Sequence, residues 1–145
     1  MNKKLLQFAS MLLVAVCLCV NFTACGDAGP VSGTENGYAW VDLGLPSGLK
    51  WATCNVGAAS PWDYGDYFAW GETTTKTEYN SSNSKTYGKN ISDIKGDTRY
   101  DAARANWGGS WRMPTKEELT ELRNNCSWIW TKQNGENGYL VKSKK

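Results

Sequence analysis

The run Thr115-Lys116-Glu117-Glu118-Leu119-Thr120-Glu121-Leu122-Arg123-Asn124-Asn125-Cys126-Ser127-Trp128-Ile129-Trp130 changes its pattern halfway along, and that change sets the fold class. Its first half opens with Thr115 and, three residues on, Glu118. This is a capping box, in which the hydroxyl and the carboxylate each take a backbone N–H that a helix start leaves unpaired. Leu119 and Leu122 fall on one face of the helix that follows, which the spacing ends near Asn124-Asn125. From Cys126 the period drops to two, with Cys126, Trp128 and Trp130 on one face of a strand. Asn134-Gly135 and Asn137-Gly138 offer turn residues, and Tyr139 to Val141 returns as a second strand. A capped helix running into an antiparallel strand pair predicts an α+β fold of mostly antiparallel short strands, one or two short helices and long loops.

Upstream, Trp111-Arg112-Met113-Pro114 leads into the cap. Asp97 is expected to cap a short helix through Ala102, Ala103 and Ala105, ended by Gly108-Gly109. Thr73 to Lys89 is rich in Thr, Ser, Asn and Lys with no apolar period, which reads as an exposed loop pinned by Tyr79 and Tyr87. Tyr67-Phe68-Ala69-Trp70 reads as a short strand closed by Gly71, and Asn55 to Gly65 as a loop containing Pro61. Tyr38 to Leu43 and Leu49 to Thr53 alternate on either side of Leu45-Pro46-Ser47-Gly48, which predicts a hairpin. Residues 25–37 are small and polar, and read as a flexible tether ahead of a domain at 38–145.

The first residues have another character. Lys3 and Lys4 precede an apolar run from Leu5 to Val20 that is short for a membrane span. Phe22-Thr23-Ala24-Cys25 resembles the bacterial lipobox, with Phe22 in place of the usual aliphatic residue. The resemblance implies a signal peptide at 1–24, diacylglyceryl transfer to the thiol of Cys25, and an outer-membrane lipoprotein of the cell envelope at its surface or periplasmic face. The alternative is an ordinary secretory signal that Cys25 merely adjoins. Cys17 and Cys19 leave with the signal.

Composition bounds the rest. Of 145 residues, removal of 1–24 leaves 121, enough for one domain with a modest core. It takes Lys3 and Lys4 from the 16 basic residues and none of the 14 acidic ones, so the net charge of +2 disappears. No basic stripe remains for a nucleic-acid backbone. The chain holds no histidine, which excludes histidine-based triads, the zinc-protease helix motif and an imidazole general base. Cys54 and Cys126 read first as a disulfide in an oxidising compartment, worth roughly 4 kcal/mol for a loop of about 70 residues. The alternative is two buried thiols in separate places. The 8 Trp and 15 Gly suit a compact, loop-rich extracellular fold in which large rings cover much area.

Three ordered blocks carry a family resemblance. Arg112-Met113-Pro114-Thr115-Lys116-Glu117-Glu118-Leu119 resembles a block of formylglycine-generating-enzyme-like domains, which share the C-type-lectin-like fold. Val41 to Thr53, Tyr64 to Glu72 and Asn106 to Thr115 are more closely similar to the Fibrobacter succinogenes major paralogous domain, common in envelope lipoproteins of Bacteroides-like bacteria. The resemblance spans most of 38–141. It implies a C-type-lectin-like domain whose capped helix packs on a mostly antiparallel sheet, with Arg112, Pro114, Thr115 and Glu118 forming a structural motif and Arg112 held by a carboxylate or carbonyls near the helix start. Family domains continue past the position of Lys142, so the domain is expected to be incomplete at its C-terminus, with an exposed sheet edge. The oxidase chemistry of the related enzymes resides in a cysteine pair that no residue here matches.

Other chemistry finds little support. Asp63, Asp66, Glu72, Glu117, Glu118 and Glu121 form no pattern of paired glycosidase carboxylates; Glu118 is explained by capping, and Glu117 and Glu121 read as an exposed helix face. Asp93, Asp97 and Asp101, spaced by four, lack the close alternation of a calcium loop. No catalytic residue, metal or cofactor is expected. The rings of Trp62, Tyr64 and Tyr67 are candidate sugar-stacking residues, though core filling is the commoner role for any one of them. The sequence therefore predicts a non-catalytic, membrane-anchored binding module for a glycan or protein ligand. The alternatives are an assembly protein whose sheet a partner strand completes and a truncated product without function.

Overall fold

A computed structural model describes residues 32–91 and 93–144, and within them the chain is α+β. The strands are β1 (Ser32–Glu35), β2 (Tyr38–Asp42) and β3 (Lys50–Ala52), followed by helices α1 (Ala102–Trp107) and α2 (Lys116–Asn125) and by strands β4 (Cys126–Gln133) and β5 (Glu136–Ser143). They form two antiparallel sheets, one in the order β1-β2-β3 and the other a β4-β5 hairpin.

Both of the tightest hairpins turn on Asn-Gly. Asn36 and Gly37 have φ of 49° and 82°, and Asn134 and Gly135 have φ of 48° and 95°. Two successive left-handed residues match the twist of the strands they join, and Asn and Gly adopt that conformation at least cost. The turns fix the registers, pairing Glu35 with Tyr38 and Gln133 with Glu136. The hairpin read at Tyr38–Thr53 is also present, with Val41 opposite Trp51.

The folded unit begins earlier than Tyr38. The tether expected at 25–37 is β1 and its turn from Ser32 onward, and residues 25–31, like Cys25 and the signal, lie outside the described residues. The turn is stitched to the segment after α1. Asn36 Nδ2 donates to the Trp107 carbonyl at 3.0 Å, Trp111 Nε1 donates to the Glu35 carbonyl at 2.9 Å, and Ser110 Oγ donates to the Glu35 carboxylate at 2.7 Å. Small polar composition resembles a linker, but here the polar side chains have fixed partners.

Two apolar clusters hold the elements together. Val41, Leu43, Leu45, Leu122, Cys126 and Val141 join β2, the turn after it, α2 and both strands of the second sheet, with Trp51 and Trp128 packed against them. Each such aliphatic side chain contributes about 1.5–3 kcal/mol by leaving water. Val56, Ala103 and Trp107 form the second cluster, against Phe68, Trp111 and Met113. Tyr38 stacks on Trp107 at 4.5 Å and Trp111 meets it edge-on at 5.0 Å. Glu121 belongs to this framework rather than to an exposed helix face: its carboxylate accepts the Ser47 amide at 2.9 Å and hydroxyl at 2.6 Å, tying α2 to the β2–β3 turn.

Four further expectations are corrected. Residues 67–70 form no strand, because the carbonyls of Tyr67 and Trp70 accept the hydroxyls of Tyr79 and Thr86 instead of a neighbouring strand. Asp101, not Asp97, caps α1, accepting the Arg104 amide at 2.9 Å; Asp97 heads the preceding turn and holds Arg99. Cys54 and Cys126 are both free thiols rather than a disulfide. Cys126 is buried in the first cluster, where desolvation pushes its thiol pKa up despite Lys144, whereas half-buried Cys54 lies beside the Thr53 hydroxyl at the end of the first sheet. The loop after Glu72 is as irregular as its composition predicts, but it has an anchor. Buried Glu72 pairs with Lys76 and accepts the Lys85 amide at 2.7 Å. Burial raises its carboxyl pKa, and these contacts outweigh that and hold it below the ordinary value. Tyr79 also pins the loop, while Tyr87 is exposed and does not.

Candidate ligand groove

The helix start predicted from Thr115 and Glu118 organises one wall of an open groove. Thr115 Oγ1 accepts the Glu118 amide at 3.2 Å, and Glu118 Oε2 accepts the Thr115 amide at 2.8 Å. Arg112 completes the corner as a two-pronged donor, with both terminal nitrogens 2.7 Å from the Glu118 carboxylate. Pairing of this kind is strong because the planar guanidinium matches the carboxylate. The Arg112 guanidinium is the main cause that holds the Glu118 carboxyl at a pKa of about 2, against the opposing effect of burial. Lys95 Nζ also reaches Glu118 at 3.3 Å, so the 93–95 segment is joined to the start of α2.

Beneath this corner, Asp101 is fully buried and accepts the amides of Gly96 at 2.7 Å, Arg104 at 2.9 Å and Met113 at 2.9 Å. One carboxylate thus fixes the segment before α1, the first turn of α1 and the approach to α2. A buried charge is tolerable only when hydrogen bonds replace water in this way. The sequence showed Asp101 only as one of three evenly spaced aspartates. Its role depends on contacts with residues up to 12 positions away, which no local pattern encodes.

The groove has a volume of about 1080 Å³ and lies between α2, the 93–95 segment, Trp70 and the β4–β5 hairpin. Its rings are Trp70, Trp128 and Tyr139; Ile94, Met113, Pro114 and Leu119 supply aliphatic surface. Asp93, Lys95, Lys116, Glu117 and Arg123 bring charge to its lining. Trp70 is half exposed, and the indole N–H of Trp128 is shielded from solvent without an acceptor among the described residues. An apolar cleft of this size with a few polar groups is the usual form of a ligand site.

The rings expected to stack on a ligand lie elsewhere. None of Trp62, Tyr64 and Tyr67 lines this groove. Trp62 is half-buried in its loop, Tyr67 is exposed, and the Tyr64 hydroxyl bridges the amide and carbonyl of Asn137, both at 3.2 Å. The groove rings were visible in sequence only as strand residues, since neither spacing nor neighbours mark Trp70, Trp128 and Tyr139 as converging.

The class defined by these features is a small α+β protein with a ring-lined groove between its capped helix and its C-terminal hairpin. Comparison of the chain with protein-family models, curated proteins and solved structures finds no match. Among the described residues, no group of three His, Cys, Asp or Glu side chains is placed to hold a metal ion, and no helix is long and apolar enough to cross a membrane.

Proposed function

We propose that this protein is a non-catalytic binding module of the cell envelope, anchored by lipid on Cys25, that takes a glycan or protein ligand in the groove beside α2. The observation that carries the reading is the convergence of Trp70, Trp128 and Tyr139 on one cleft with charged groups in its lining. Ring faces stack on the apolar faces of sugars or on apolar side chains. The charged side chains of the lining supply hydrogen bonds that orient what stacks there. The three sequence blocks support assignment to a domain similar to the Fibrobacter major paralogous domain, with a C-type-lectin-like fold, and the Arg112–Glu118 corner is consistent with the structural role the resemblance gives to Arg112. The lipobox-like residues support outer-membrane anchoring.

The test is a glycan and peptide array probed with the protein and with a Trp70→Ala, Arg123→Ala double variant. Both residues line the groove, and both side chains are exposed. Binding to a defined ligand class, weakened at least about tenfold in the double variant, is expected. A folded protein that binds nothing on either array, or binding unaffected by the double variant, overturns the reading.

A further inference from the structure

The second sheet has two long edges, and they differ. In a hairpin with a two-residue turn the closing residues exchange both backbone hydrogen bonds, and alternate pairs do the same along the ladder. Gln133 closes this one opposite Glu136, so Gln133, Thr131, Ile129 and Ser127 bond to β5. Cys126, Trp128, Trp130 and Lys132 turn their N–H and C=O groups outward. The Cys126 amide confirms the phase, since it bonds out of the sheet to the Leu122 carbonyl. Beyond it, among the described residues, no hydrogen bond from outside the sheet reaches the backbone of Trp128, Trp130 or Lys132. The outer edge of β5 is occupied near the turn, where Tyr64 holds the Asn137 backbone, and at its other end the Ser143 side chain is tied to the Leu43 carbonyl.

We infer that the β4 edge is the interface with a second copy of this chain, paired antiparallel about a twofold axis at Trp130. That register places Trp130 opposite Trp130 of the second copy and Trp128 opposite its Lys132. All the outward groups at these three positions then find partners, giving about six backbone hydrogen bonds. The side chains agree with the backbone. Directly opposed residues point to the same face, so Trp130, at 62% the most exposed of the large apolar residues described, meets its own copy. Tyr139 already lies against Trp130 at 4.9 Å, which extends the contact into a four-ring row across the joined sheets. Lys132 is the one charged residue of β4, and the register sets it over an indole, a favourable cation–π placement, rather than against another charge. Parallel pairing cannot use a closed twofold of this kind, a slide of two residues toward the turn keeps only about four of these hydrogen bonds, and a slide of four brings the two Lys132 side chains face to face. Trp128 is a groove residue, so this register brings Lys132 of the second copy to the border of the groove.

Sedimentation of the full chain, together with oxidative cross-linking of variants that carry one added cysteine by substitution, tests the inference. Trp130→Cys places two thiols on residues whose Cα atoms are about 5.5 Å apart in the proposed pair, within disulfide reach. Lys132→Cys places them about 13 Å apart and out of reach. The expected results are a dimer in sedimentation and a covalent dimer from Trp130→Cys that forms at least about tenfold faster than from Lys132→Cys or from the native thiols alone. Lys132→Pro removes the outward N–H and the ammonium of Lys132, both on the open edge, but no N–H that bonds to β5, so it leaves the β4–β5 ladder intact and is expected to raise the dimer dissociation constant at least about tenfold while a cooperative melt is retained. A chain that sediments as a monomer at every concentration, or a dimer in which Trp130→Cys cross-links no faster than Lys132→Cys, overturns it.

Discussion

The two Asn-Gly hairpins share a turn and part company everywhere else. In β1–β2 the turn residues are bound to the body of the protein: Asn36 holds the Trp107 carbonyl, Glu35 takes the Ser110 hydroxyl, and Tyr38 stacks on Trp107. In β4–β5 only the base is buried, at Cys126 and Val141, while Ile129, Trp130 and Tyr139 remain exposed toward the turn. Turn chemistry therefore fixes a hairpin's register without deciding what the hairpin faces. A two-stranded sheet is marginal alone. The first hairpin is stabilised by β3 and by its side-chain contacts. The second rests on its base and on the hydrogen bonds of Tyr64 to the Asn137 backbone, and among the described residues the outer edge of β4 beyond Cys126 has no partner.

The strongest way to break the contrast is to remove what the first hairpin leans on. Asp101→Ala deletes the acceptor for the amides of Gly96, Arg104 and Met113 and loosens the 107–113 segment to which the first hairpin is tied. The expected loss in urea melts is about 3–4 kcal/mol, because buried N–H groups are left without partners. Hydrogen exchange should show faster opening of β1–β2 than of β4–β5; equal acceleration of the two hairpins would show that Asp101 does not distinguish them.

Acid gives a smaller and graded effect. The Glu118 carboxyl has a folded pKa of about 2, below its ordinary 4.5, so it adds stability that is complete above pH 4.5 and lost as the pH falls through 2. The difference corresponds to about 2–3 kcal/mol, allowing for partial solvent screening. Glu35, held below 4.5 by its Ser110 hydrogen bonds, weakens in the same direction, so acid acts on the stitching of the first hairpin as well as on the helix corner. Stability measured from pH 6 to pH 2 should fall less steeply for Glu118→Gln than for the unaltered chain, and parallel curves would show that the pair with Arg112 carries no linkage.

These contrasts also mark how far the sequence could be read. Capping boxes, turn residues and the switch from period 3.6 to period 2 are local, and α2, β4 and the hairpin around Ser47 follow from them directly, whereas Asn137-Gly138, which the sequence offers equally as a turn, lies within β5, so that strand starts at Glu136 rather than Tyr139. That Arg112 is held near the helix start was expected from the family resemblance, but that the carboxylate holding it is Glu118, already engaged in the capping box, was not legible. What was not legible depends on distant contacts. Ser32–Gly37 has a linker's composition, and only Trp107, Ser110 and Trp111 make it a hairpin. Residues 67–70 have a strand's composition but no neighbouring strand. Asp101 and Asp97 are equal as potential caps until Met113 and Gly96 are brought to one of them. The groove is the extreme case, since Trp70 is separated by more than forty residues from Leu119, and by more still from Trp128 and Tyr139, and convergence of that kind has no signature along the chain.

The finest test compares the turns with each other. Asn36 and Asn134 both sit at positive φ, so replacement of either by Ala loses the preference of Asn for that conformation, about 0.5–1 kcal/mol. Asn36 has an additional role, since its amide satisfies the Trp107 carbonyl at the end of α1 at 3.0 Å. Asn36→Ala is therefore expected to cost about 1 kcal/mol more than Asn134→Ala, the net value of one partly buried hydrogen bond. Gly37→Ala and Gly135→Ala are the control, because an added Cβ meets nothing within 4 Å at either site and only the backbone strain at positive φ is felt. The two glycine variants should lose nearly the same stability in matched thermal melts. If they do, and the asparagine variants differ, the asymmetry between the hairpins lies in side-chain contacts and not in the turns; if the asparagine pair is also equal, the Asn36–Trp107 bond does not distinguish one hairpin from the other.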